Sequence, residues 1–259
     1  MLESDFHAVE ANLRESFRAL AHGRPRADVI ELPGVSIASL GVSFQMFNAA
    51  FFSSPIASGD ELEMRLDAAR EHFFRRNLSW SLWVCEDWVD RSLRRRLSRV
   101  CDGFDLHLTT EMPGMSACAL DRASRPLQEL EFRRVERGPT LDDFRAIGSH
   151  CFHVPILWFS EVFDESIRDR EFICWVGYHD GVPVSTAATV RTGETVGLYN
   201  IATTPGYRGR GFAEAVTRHA VEYARPAERV ILQSTTQGLS MYHRLGFDAV
   251  TRILVYNSL

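Results

Sequence analysis

The sequence contains no lysine, so all 29 of its basic side chains are arginine. Schiff-base chemistry and any other catalysis that needs a lysine amine are thereby excluded. Cysteine is scarce and patternless. Cys85, Cys101, Cys118, Cys151 and Cys174 are odd in number and include no Cys-x-x-Cys pair. The expectation is therefore no disulfide framework and no metal site, in a reducing, cytoplasmic setting. No apolar run approaches the roughly 20 residues that span a bilayer, so no membrane partner is expected. The opening stretch, residues 1–16, is acidic and amphipathic and does not read as a secretory signal. A positive balance is missing as well: the formal net charge is -5, which argues against nucleic acid as a partner. What is present is material for a core. Hydrophobic residues make up 45% and charged residues 24% of 259 positions, as in a soluble globular protein of one large or two small domains.

Periodicity predicts the elements. Phe6, Val9, Leu13, Phe17 and Leu20 recur at helical spacing over residues 5–22, and Gly23 and Pro25 end the run. Residues 29–32 and 35–40 read as two strands around Pro33-Gly34. A helix over 60–77 opens on acids and closes on arginines, the polarity its dipole favours. A strand at 79–87, a short helix ending at Gly103 and a strand at 105–112 follow. Residues 121–130 are polar and aperiodic and read as a linker. Beyond it come a strand at 130–136, a helix from Thr140, and an irregular aromatic stretch at 150–164. Three strands follow between 172 and 203, with hairpin turns at Asp180-Gly181 and Thr192-Gly193. A Gly/Arg-rich loop, a helix at 212–224, a strand at 229–235, a short helix at 238–245 and a last strand complete the chain.

The halves read alike. MFNAAFFSSP at 46–55 resembles LYNIATTP at 198–205, and both lead through helix, strand and short helix to a Gly-Phe-Asp turn and a final strand. A repeat of this length suggests two copies of one α/β unit.

The loop after residue 204 carries the strongest signal: Pro205-Gly206-Tyr207-Arg208-Gly209-Arg210-Gly211-Phe212-Ala213. A strand feeds a glycine-rich turn that opens a helix. The first helical turn leaves N–H groups unpaired at the positive end of the dipole. Glycines clear the approach of an anion to those donors. Phosphate-loop NTPase and dinucleotide fingerprints do not fit this turn. The segment resembles the pyrophosphate loop of the GNAT family of N-acetyltransferases, [Q/R]-x-x-G-x-[G/A], which Arg208, Gly211 and Ala213 fill. Downstream, Tyr242, Gly246 and Phe247 are similar to the family's second signature, Tyr-x-x-x-Gly-Phe. The resemblance covers residues 130–259.

That resemblance implies an α/β (α+β) fold of two GNAT-like units, each a mixed, mostly antiparallel sheet flanked by helices. Residues 1–125 would be a degenerate unit without a CoA loop, because Asp60 and Glu61 stand where the loop's arginine and glycines would be. Residues 126–259 would be the working unit, an acetyl-CoA-dependent N-acetyltransferase acting on an amine. By the family's pattern, Arg208, Gly209, Arg210, Gly211, Phe212 and Ala213 hold the pyrophosphate of acetyl-CoA. The backbone of Ile201, Ala202 and Thr203 holds the pantetheine arm, and Gln237 or Ser240 replaces a customary asparagine. Tyr242 would be the general acid that protonates the departing thiolate. No acid lies on the fourth strand of the unit, so the base is not legible; His150, His153 and Glu161 lie where the family builds its acceptor site, and Tyr199, Trp158, Phe159 and Phe163 are further pocket candidates. His219 and His243 read as surface residues. The acceptor stays open among aminoglycosides, polyamines, amino acids and peptide N-termini. A non-catalytic acyl-CoA sensor or partner subunit is the alternative, and a homodimer whose partner supplies the base is a third reading.

Overall fold

The computed structural model describes residues 5–258, and of residues 168 and 169 the backbone alone. The first half runs α1 (Asp5–Ala21), β1 (Asp28–Leu32), β2 (Val35–Ser39), β3 (Asn48–Phe52), α2 (Gly59–Arg76), β4 (Ser81–Cys85), α3 (Arg91–Arg94), α4 (Leu97–Asp102) and β5 (Leu106–Ala117). The second runs β6 (Glu131–Arg134), α5 (Pro139–Phe152), α6 (Ile156–Val162), β7 (Phe172–His179), β8 (Val182–Thr192), β9 (Thr195–Thr203), α7 (Phe212–Tyr223), β10 (Arg229–Gln233), α8 (Leu239–Arg244) and β11 (Asp248–Ser258). No helix among the described residues is long and apolar enough to cross a membrane.

All eleven strands join one sheet in the order β1-β2-β3-β4-β11-β5-β10-β9-β8-β7-β6. Among the described strands only β3–β4 and β9–β10 pair in parallel; each pair is bridged by a helix, α2 or α7, as a parallel connection requires. The expected mixed, mostly antiparallel sheet flanked by helices is present, but it is continuous. The last strands of the two halves change places: β5 pairs with β10, and β11 inserts between β4 and β5. The segment between β5 and β6, which holds the expected boundary at 125/126, connects halves that share their central strands.

Alternation along the strands sorts the helices. On β10, Val230 and Leu232 pack under α7 and α8, while Ile231 faces α1. On β4, Leu82 and Val84 pack under α2 and α4, while Trp83 and Cys85 face α1. Helices α1, α5 and α6 thus cover one face, and α2, α4, α7 and α8 the other. The irregular reading of 150–164 is corrected by α6, whose Phe159 and Val162 are buried against Phe144 and Phe163. Only two residues of this seven-residue helix are buried, too few to show as a period.

Helix α1 crosses from the first half onto the second. Asn12, 0% exposed, donates through Nδ2 to Val190 O at 3.1 Å and Thr192 Oγ1 at 2.9 Å. Its Oδ1 accepts from the Tyr199 hydroxyl at 2.7 Å. Gly197 makes room for this clamp: a Cβ there would stand 1.8 Å from Asn12 Oδ1. Gly197→Ala is therefore expected to destabilise the fold by about 2–4 kcal/mol, the sum of overpacking and a disrupted buried hydrogen bond. A urea midpoint equal to that of the wild type would contradict this packing.

The apparent sequence repeat is only partly reproduced at atomic scale. Asn48 opens β3 opposite Ser39 and is buried, donating to Val42 O and Ser79 O. Asn200 lies beyond the β9–β10 pairing with φ 49°. The matched asparagines therefore do different work. The two Gly-Phe-Asp turns differ too: Gly246 has φ 92°, whereas in the first turn it is Asp105, at φ 58°, that is left-handed.

Candidate functional site

The site begins where two strands part. β9 and β10 pair from Thr195↔Arg229 to Leu198↔Leu232 and no further. The next residues of β9 bulge against β8, between the pairs Ala188↔Tyr199 and Thr186↔Ala202. Asn200 takes the left-handed conformation in the bulge, and its carbonyl accepts from Thr186 Oγ1 at 2.8 Å. A bulge adds twist and re-aims the strand. Past it, Thr204 N donates to Val184 O at 3.0 Å, so alternation turns the backbone groups of Thr203 away from β8. Its carbonyl accepts from Arg208 Nε at 3.0 Å and from Cys151 Sγ at 3.4 Å. Ile201 is half-buried toward α7, and Ala202 is buried toward α5.

Beyond Thr203 the chain makes one tight turn, Pro205–Tyr207, and enters α7. Gly209 has φ 74° and Gly211 φ 95°, which L side chains rarely adopt. Gly211 is the N-cap of α7, and no side chain caps the helix there. The amides of the first turn are thus left at the positive end of a 12-residue helix. Arg210 turns elsewhere: its guanidinium lies 5.4 Å over the Tyr207 ring and 5.0 Å over Phe212, with Nη2 3.4 Å from His179 Nε2.

A cavity of about 200 Å³ opens at this helix end. Thr203, Arg208, Gly209, Gly211, Phe212 and Ala213 line it, together with Gln237 and Ser240 from the segment around α8. Sequence reasoning missed Arg125 and Arg244, which also line it. Arg125 comes from the segment between the halves, where no local pattern marks it; Arg244 ends α8. Arg125, Arg208 and Arg244 form no ion pair among the described residues. Glu214 shares the wall, but Arg218 already holds its carboxylate at 2.9 Å. The cavity therefore carries uncompensated positive charge in an acidic protein. A larger hollow of about 450 Å³ lies along the outer flank of α7, lined in part by Arg218, His219 and Glu222. It lacks an open helix end and unpaired arginines converging on one point.

Tyr242 sits on α8, 7% exposed, its ring edge-on to Phe247. Its hydroxyl makes no hydrogen bond among the described residues, nor is it one of the buried polar atoms left without a partner. Tyr242 is not itself among the residues that line the cavity, although Ser240, Met241 and Arg244 of the same helix are. Burial pushes the phenol's pKa well above its ordinary value, so it stays a proton donor.

The other candidates scatter. Tyr199 turns into the core, where burial raises its pKa and Asn12 takes its hydrogen bond. His150 is exposed, and His153 ends α5 in the left-handed conformation. Glu161 Oε2 accepts from Ser43 N at 3.1 Å. Phe159 and Phe163 are core, and Trp158 stacks on Phe44 at 5.4 Å. His243 is exposed, its Nδ1 3.0 Å from Phe247 O. His219 is half-buried rather than fully at the surface. It stacks on Phe132 at 4.0 Å with Nε2 buried, and burial lowers its pKa. The helical period there leaves its imidazole on the flank that β6 covers, which the sequence of α7 alone does not reveal.

The first half closes the corresponding place with its own chain. Ile56, 1% exposed, bridges to Val89, with Ile56 N donating to Trp88 O at 2.7 Å and Asp90 N to Ile56 O at 3.1 Å. The start of α2 is self-capped: Ser58 Oγ accepts from Glu61 N at 3.2 Å, and Glu61 Oε2 accepts from Ala57 N at 3.0 Å. The Ala57 N–H and neighbouring Arg65 hold the Glu61 carboxyl below its usual range, so it is ionised. Arg65 itself is taken up by the carbonyls of Ser54 and Pro55, at 2.7 and 2.9 Å.

Comparison with known proteins agrees with this geometry. Residues 141–247 match the model of the acetyltransferase (GNAT) family. Among solved structures, a GCN5-related N-acetyltransferase from Kribbella flavida is similar over 96% of this chain and 95% of its own, with TM-score 0.71 and 16% identity. A functionally unknown conserved protein from Staphylococcus epidermidis ATCC 12228 aligns over 90% and 94%, with TM-score 0.68 and 10% identity. A GCN5-related N-acetyltransferase from Sphaerobacter thermophilus aligns over 98% and 92%, with TM-score 0.53 and 14% identity. No curated protein matches the chain. Such low identities speak to the fold, whereas the family match falls on the segment that holds the bulge, the glycine loop and Tyr242. Residues 141–247 thus match the GNAT acetyltransferase family, and the fold of the chain is similar to that of a GCN5-related N-acetyltransferase.

Proposed function

We propose that the protein binds acetyl-CoA in its C-terminal half and transfers the acetyl group to an amine of a small molecule or peptide. The observation that carries this reading is the uncapped start of α7 facing a cavity with three unpaired arginines. Acetyl-CoA supplies an activated thioester and a pyrophosphate. Arg208 and the α7 amides suit the pyrophosphate, each charge-assisted hydrogen bond contributing about 1.5–3 kcal/mol. Arg208 is held in place by Thr203 O, so little side-chain freedom is lost on binding. The open edge of β9 past Leu198, reached through the Asn200 bulge, leaves backbone donors and acceptors for an amide-bearing arm. Gln237 and Ser240 also line the cavity and offer further polar partners.

Tyr242 is the proton donor to the leaving thiolate. Its pKa is raised by burial, and a thiol in the same dry site is raised by the same cause, which narrows the mismatch between them. The incoming amine must lose a proton. No carboxylate lies on β9, so a water held by backbone carbonyls is the natural acceptor of that proton. The N-terminal half binds no CoA, because Ile56 fills its cleft and Glu61 occupies its helix end.

The test is an amine screen that follows free thiol from acetyl-CoA. Thiol release dependent on one class of amine is the expected result. Binding of acetyl-CoA with no thiol released by any amine would replace the enzyme reading with that of an acyl-CoA sensor.

A further inference from the structure

The charge on the cavity exceeds what a diphosphate needs. Arg208 and the α7 amides already suffice for two phosphates. Arg125 and Arg244 remain, both exposed, both on the cavity wall and both without a carboxylate partner among the described residues. Unpaired guanidiniums are costly to gather: like charges repel, and this chain has 34 carboxylates against 29 arginines to pair them with. The one acid on the wall, Glu214, is committed to Arg218.

Position narrows the role of each. The Arg125 guanidinium comes within 3.5 Å of where a Cβ on Gly211 would stand, so it hangs over the end of α7. Arg244 folds back so that Nη1 donates to Ser240 O at 2.9 Å, which leaves the rest of the fork free. One arginine thus arrives from the segment between the halves and the other from the end of α8.

We infer that Arg125 and Arg244 form a second anion subsite, which holds a phosphomonoester alongside the diphosphate. Given the acetyl-CoA reading above, on which this rests, that group is the 3′-phosphate of the adenosine ribose. The site then selects CoA over its 3′-dephospho form. The segment between the halves contributes directly to cofactor recognition.

Calorimetric titration of the full chain with CoA and with 3′-dephospho-CoA tests this. Wild type is expected to bind CoA about tenfold or more tightly, the effect of one charge-assisted phosphate contact. In Arg125→Gln/Arg244→Gln the two ligands should bind within about twofold of each other, while Arg122→Gln, in the same segment but off the wall, keeps the preference. Thermal melts of the variants report whether the fold is intact. Equal affinity of wild type for both ligands would overturn the inference and leave the CoA site standing. So would a preference retained in the double variant. Failure of wild type to bind either ligand would overturn the acetyl-CoA reading and this inference together.

Discussion

Arg208→Glu is expected to weaken acetyl-CoA binding by about 100-fold or more, since it removes a charge-assisted contact worth roughly 1.5–3 kcal/mol and puts an anion in its place. The Nε–H that Arg208 gives to Thr203 O disappears with it. Gly211→Asp should abolish binding by a second route. Its backbone sits at φ 95°, so any L side chain is strained by about 1–2 kcal/mol. The new carboxylate would occupy the α7 amides and pair with Arg125, as Glu61 occupies the end of α2 in the other half. The cost to the fold should be modest, a fall in melting temperature of roughly 2–8 °C. Isothermal calorimetry and a thermal melt on each variant separate the two effects. Full affinity in both folded variants would remove the pyrophosphate from this loop.

Tyr242→Phe is expected to lower kcat by about 10²–10⁴-fold while leaving the KM for acetyl-CoA nearly unchanged. The substitution keeps the ring against Phe247 and removes only the hydroxyl. The pH profile gives an independent check. Because burial raises the phenol's pKa, the protonated donor persists as pH rises. Wild-type turnover should therefore hold through pH 10 with no alkaline limb from Tyr242. A Phe variant of wild-type kcat would assign the donor to water or another group.

Much of this was legible in the sequence because it is local. The amphipathic period of α1, the Asp180-Gly181 turn, the Gly/Arg loop and the Tyr-x-x-x-Gly-Phe element depend on neighbours a few residues apart. What escaped depends on distance along the chain. No pattern near β5 or β11 says that they change places, because either strand's alternation suits either neighbour. Tyr199 looked equally fit for the core or the cleft until Asn12, 187 positions away, took its hydroxyl. Arg125 lies in a stretch without a period, so only the folded cavity identifies it. Asn200 could have been noticed, since asparagine tolerates the left-handed conformation a bulge asks for.

The difference between the two helix starts also follows from residues rather than from resemblance. Both have a parallel strand pair and a following helix. In one, glycines leave the helix end bare and the strands part around an open edge. In the other, Ser58, Glu61 and Ile56 satisfy the same groups from within. A backbone donor already bonded by its own chain offers nothing to a phosphate.

The most direct measurement is the stoichiometry of acetyl-CoA binding by calorimetry on the wild-type chain. One site per chain, lost in Arg208→Glu, is the predicted result. Two sites would contradict the closed N-terminal cleft, and no binding would contradict the assignment of the α7 cavity to acetyl-CoA.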